Sequence, residues 1–134
     1  MERMEKQIVM EKEFVPYEWA IKLKELGFDC KCFAVSTKTS EEFEITDPED
    51  WDEAKYGDLL VKRPTFSQAF RWFREKYGFE VFLQKEVNLV SGKTYSYLIE
   101  NDVEEIIKRS PSKSSIERAE LDCLKKLIEI VKEK

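Results

Sequence analysis

Lys62, Arg63 and Thr65, followed by Arg71, Trp72 and Arg74, place cations, a hydroxyl and a broad aromatic ring within one stretch, VKRPTFSQAFRWFREKYGF. These residue types suit an anionic, ring-bearing ligand such as a nucleotide, because guanidinium and ammonium groups neutralise phosphate and an indole face stacks on a base. Lys62 and Arg63 end a short apolar run just before a helix start, where backbone N–H groups and the helix dipole favour an anion. Thr65 adds a hydroxyl there. The plainer reading is an amphipathic helix. With Ala69 at zero and about 100° per residue, Phe66, Phe70, Phe73 and Tyr77 fall within about a third of the circumference, the width of a core-facing stripe. Arg71 and Arg74 then lie on the polar face, Glu75 follows Arg71 by one turn, and Trp72 stands at the rim between the two faces.

A second cluster, DPEDWDE at 47–53, sets Trp51 between Asp50 and Asp52. One tryptophan ringed by carboxylates suits a hot spot that docks on a basic protein surface. The same carboxylates are of the type that serves glycosidic or calcium chemistry, and an acidic loop is equally served by solvation alone.

The chain has no histidine, which removes Ser-His-Asp and Cys-His catalysis and the commonest general base. Cys30, Cys32 and Cys123 do not complete a zinc set and read as buried structural cysteines. Ser91-Gly92-Lys93-Thr94 carries only the tail of a phosphate loop and lies in a hairpin turn rather than before a helix. The expectation is a non-enzymatic protein with no metal and no cofactor.

The 134 residues fit one domain, with a charged arm at 1–12 and a single α+β domain over 13–134. A formal charge of -5 argues against generic DNA binding, which calls for a basic stripe. No apolar run approaches the roughly 20 residues of a spanning helix, so no membrane role is expected. The three cysteines form no disulfide framework, which points to a reducing cytoplasm.

The elements follow from punctuation and periodicity. Pro16 opens a helix in which Trp19, Leu23 and Leu26 share a side, and Gly27 stops it. Alternation at Cys30–Val35 and a second extended run at 42–46 read as a hairpin. The apolar run Leu59, Leu60, Val61 precedes the central helix, whose Thr65 and Gln68 have capping-box spacing and whose end is Gly78. Phe79, Val81 and Leu83 alternate, Ser91-Gly92 turns, and Tyr95, Tyr97 and Ile99 return as a second hairpin. DVEEIIKR at 102–109 is open between strand and helical turn. Ser114 and Glu117 have capping-box spacing before a last helix. The order is αββαββα, a two-layer or sandwich arrangement in which three helices pack an antiparallel sheet.

That last helix carries two apolar stripes, one of Ile116, Ala119, Cys123, Leu127 and Ile130, the other of Leu121, Leu124, Ile128 and Val131. The excess fits a homodimer seam along 114–132 or, alternatively, burial on two sides within one chain.

FVPYEWAIKLKELGFD, QAFRWFREKYGF and AELDCLKKLIEIVKEK resemble three recurring blocks of a family of small proteins of phages, prophages and mobile elements in gut Bacteroidota. The layout from residue 65 onward is similar to phage ABA-sandwich domains. The resemblance implies an accessory protein acting on a target in the host cytoplasm. Its sharpest form is an anti-defence sponge that sequesters a nucleotide immune signal at Lys62, Arg63, Thr65, Arg71, Trp72 and Arg74. The alternative is an inhibitor that binds a host protein through Trp51, Asp50 and Asp52.

Overall fold

A computed structural model describes residues 12–39, 42–45, 59–90, 92–101, 105–110 and 113–133. Their class is α+β, as the sequence predicts. The order is α1 (Tyr17–Glu25), β1 (Ala34–Thr37), β2 (Glu44–Ile45), β3 (Leu60–Lys62), α2 (Phe66–Tyr77), β4 (Glu80–Asn88), β5 (Gly92–Glu100), β6 (Ile106–Arg109) and α3 (Ile116–Lys132). Each predicted hairpin gains a third strand, so the described strands form two antiparallel sheets, β2-β1-β3 and β4-β5-β6. The chain divides into two compact units, 1–68 and 69–134.

In the first unit the predicted hairpin exists but starts later than the alternation indicates. Cys30 and Cys32 precede β1, which begins at Ala34 and pairs Ala34 with Ile45 and Val35 with Glu44. The run ending at Lys62 joins the other side of β1, with Ser36 opposite Val61. Proline shapes the entry to α1. Pro16 stands one residue before the helix as its N-cap, and its carbonyl accepts from Trp19 and Ala20 N–H. Gly27, at φ 96°, lets the chain leave the helix with a backbone that a side chain would strain. Leu23 and Ala20 are fully buried, and α1 packs on β3. Phe14, Ala34 and Phe43 form a separate cluster of the core.

Capping fixes the start of α2. Thr65 Oγ1 accepts from Gln68 N–H at 3.1 Å, and Gln68 Oε1 accepts from Thr65 N–H at 3.0 Å. This is the reciprocal box its spacing predicts.

In the second unit β4 and β5 form a long hairpin in continuous register from Glu80 opposite Glu100 to Asn88 opposite Gly92. Of the ambiguous segment 102–109, Ile106–Arg109 form strand β6, which pairs with β5 through an irregularity at Ile99 and Glu100, and 102–104 lie outside the described residues. Ser115, rather than Ser114, caps α3, accepting from Arg118 N–H at 3.3 Å. α3 packs on β5 and β4. Its two apolar stripes are largely consumed there: Ala119, Cys123 and Leu127 of one, and Leu124 and Ile128 of the other, are buried within the chain. Ile116, Leu121, Ile130 and Val131 of the same stripes are only half-buried, so packing on the β4–β5 sheet takes up part of the apolar excess that the sequence also reads as a homodimer seam along 114–132.

Candidate functional site

The residues predicted to meet a ligand divide between the two units. Lys62, Arg63 and Thr65 stand in the first, and Arg71, Trp72 and Arg74 in the second.

Arg63 faces inward. Only 2% exposed, it donates from Nε to the Val15 carbonyl at 2.7 Å and from Nη1 to Ser36 Oγ at 3.0 Å. Its guanidinium lies 5.1 Å from the centre of the Phe43 ring. A buried cation requires such acceptors because the interior cannot hydrate it. The side chain expected to greet a phosphate therefore ties the segment before α1, strand β1 and the Phe43 ring together.

Lys62 donates to the Asp29 carbonyl at 3.0 Å. At the start of α2 three of the backbone donors are occupied. Thr65 and Gln68 N–H use the capping box, and Phe66 N–H donates to the Glu13 carbonyl at 3.3 Å. Three of the N–H groups expected to face an anion at this helix start are therefore engaged within the chain.

The buried arc of α2 is rotated from the predicted stripe. Phe66, Ala69, Trp72 and Phe73 are buried, whereas Phe70 and Tyr77 are only half-buried. On the helical wheel Trp72 falls about 60° to one side of Ala69, and Phe70 about 100° to the other. The arc centred near Ala69 therefore takes in the indole and leaves Phe70 at its edge. Trp72, predicted as a rim residue, is 6% exposed, edge-on to Phe73 and Tyr77, with Lys76 Nζ 5.0 Å from its ring centre. Arg71 and Arg74 are exposed as predicted, and Arg71 pairs with Glu75 across one helical turn at 3.0 Å.

Trp51, Asp50 and Asp52, with the rest of 46–58, lie outside the described residues, as does the arm except Lys12. Among the described residues no cluster of three or more metal-ligating side chains occurs. Burial pushes the Cys32 thiol up to about 12, with the Lys62 ammonium partly opposing the rise and Cys30 adding to it. Burial, helped by Glu120, pushes Cys123 higher still. Both thiols stay protonated and unreactive at neutral pH, in keeping with structural cysteines.

The surface that sequence reasoning missed is the far end of the β4–β5 hairpin. Leu89 and Val90, which follow β4, are wholly exposed, and Val87 is 71% exposed. Strand alternation sends Leu83, Lys85 and Val87 to the same face as their partners Tyr97, Tyr95 and Lys93. Nearest α3 this face is core, with Tyr97 and Ile99 buried. Farther out it carries Lys85, Lys93, Tyr95 and Val87. Neither lysine has an ion-pair partner among the described residues. Gln84, Glu86, Thr94 and Ser96 occupy the opposite face. The legible signal was Leu89-Val90 immediately before the Ser-Gly dipeptide read as a turn, where turn chemistry calls for polar residues.

No protein family, curated protein or solved structure matches the chain. Among the described residues no helix is long and apolar enough to cross a membrane.

Proposed function

We propose that the protein is an accessory binding protein, which works by holding a macromolecular surface rather than by turning over a substrate, and that the β4–β5 hairpin is its contact element. The observation that carries this reading is the exposure of Val87, Leu89 and Val90 together at the end of one hairpin. Each such side chain forgoes about 1.5–3 kcal/mol of burial by standing in water. Scattered exposed aliphatics need no explanation, but a contiguous group on a projecting turn is the form taken by interaction surfaces. Among the described strands β4 is also an edge of its sheet, the position at which a strand can pair with another chain.

The nucleotide-sequestering reading draws on Lys62, Thr65, Arg71 and Arg74 and has less support, since Arg63 and Trp72 are committed to packing. The two readings separate with a tip variant, L89S/V90S. In extracts of cells making the protein, the native chain is expected to migrate in size exclusion with a larger assembly and the variant as a free monomer. Identical migration of the two, together with nucleotide binding by both, would move the function to the arginines of α2.

A further inference from the structure

The distal hairpin is layered. At its end stand Leu89 and Val90, wholly exposed. Two residue steps back lies the rung pairing Val87 with Lys93, and two steps farther the rung pairing Lys85 with Tyr95. At about 3.3 Å per residue, the first cationic rung stands roughly 7 Å behind the aliphatic end and the second roughly 13 Å. Both rungs present their side chains to one face, and neither β4 nor β5 places a carboxylate on it there; Asp122 of α3, next to the inner rung, is ion-paired with Lys113, the bridge partner of Tyr95. Within the two strands the acid at this level, Glu86, points to the other face opposite Thr94.

Two lysines kept close on one face of a ladder repel each other, and Lys85 and Lys93 lie on neighbouring alternate rungs with no described ion-pair partner to offset that repulsion. An arrangement that is a small liability in water becomes favourable against a surface of negative charge.

We propose that the β4–β5 hairpin docks on an anionic lipid surface. Leu89 and Val90 enter the acyl boundary, Lys93 and Lys85 meet headgroup phosphates, and Tyr95 sits among the headgroups. This rests on the hairpin being the contact element and names what it contacts. The depth order matches an interfacial anchor, whose apolar part reaches about 5–10 Å into the headgroup and acyl boundary while long cationic side chains stay at the polar level. The residue types favour lipid over a protein cleft, since Lys is depleted at protein interfaces and Leu and Val are under-represented among their hot spots. Surface contact of this kind requires no membrane-spanning segment.

The test is cosedimentation of the full chain with vesicles of phosphatidylcholine alone and of phosphatidylcholine mixed with phosphatidylserine. The native chain is expected to partition onto the mixed vesicles and to be released by salt. L89S/V90S is expected to lose about tenfold or more in partitioning, and K85Q/K93Q about fivefold per lysine. A control of equal charge change outside the hairpin, K38Q/R118Q, is expected to keep most of the binding. Failure of the native chain to bind the mixed vesicles would overturn the proposal, as would equal binding by the native chain and L89S/V90S. If vesicles fail but L89S/V90S still releases the larger assembly in extracts, lipid is wrong and the contact reading stands. If neither responds, both fall.

Discussion

Arg63 and Ser36 meet inside the first unit, where Arg63 Nη1 donates to Ser36 Oγ at 3.0 Å and both residues are buried. The guanidinium also serves the Val15 carbonyl at 2.7 Å, so one side chain satisfies polar groups from two parts of the chain. Removing it strands both acceptors away from water, which costs about 1–3 kcal/mol for each. Arg63→Ala is therefore expected to lower unfolding free energy by about 3 kcal/mol in urea titration. Arg63→Lys, lacking the planar fork, should recover less than half of that. An Arg63→Ala protein as stable as the native chain would show that these bonds contribute nothing.

The capping box at α2 carries a smaller and more specific expectation. Thr65→Ala and Gln68→Ala each remove one half of a reciprocal pair, so each should cost about 1 kcal/mol. The double variant should cost less than the sum, because either single change already breaks the reciprocity.

Trp72 and Phe70 test the rotated arc of α2. Trp72→Ala empties a buried site and is expected to cost about 3 kcal/mol or more. Phe70→Ala, at the half-buried edge, should cost clearly less. The predicted stripe would give the reverse order, so one pair of denaturation curves decides between them.

How far the sequence reveals the fold is itself instructive at these positions. Gly27, Gly78 and the Thr65–Gln68 box were legible because glycine conformation and capping are local properties of a few neighbouring residues. The α+β class and both hairpins were legible from period-two alternation. The inward course of Arg63 was not, since its acceptors lie at Val15 and Ser36, 48 and 27 residues away in the chain. Trp72 misled because periodicity finds the width of a stripe more reliably than its centre. The hairpin end was overlooked because attention went to residue types that do chemistry, and Leu and Val do none.

The buried thiols and Tyr97 set the alkaline limb of stability. Burial raises Cys32 to about 12 from an ordinary value of 9.0, and raises Cys123 as well. It raises Tyr97 to about 12, with neighbouring Cys123, Asp122 and Glu129 contributing. A raised value means that the folded chain holds these protons more tightly than the unfolded one. Their contribution is therefore complete below about pH 9 and is lost as pH climbs toward 12. Unfolding free energy should fall across that window, and Cys32→Ser/Cys123→Ser should flatten the fall. At pH 8, a thiol reagent should label half-buried Cys30 well before Cys32 or Cys123.

The hairpin end should be dispensable to the fold. Leu89→Ser and Val90→Ser touch side chains already in water, so each should change stability by no more than about 0.5 kcal/mol. Any loss of contact by these variants would then be a loss of surface rather than of structure.

The most direct measurement places a photo-crosslinking side chain at position 89 and, separately, at exposed position 118 on α3, then irradiates cells making either protein. The contact-element account predicts adducts to lipid or protein from position 89 and none above background from position 118. Equal yields at the two positions, or adducts from position 118 alone, would contradict it.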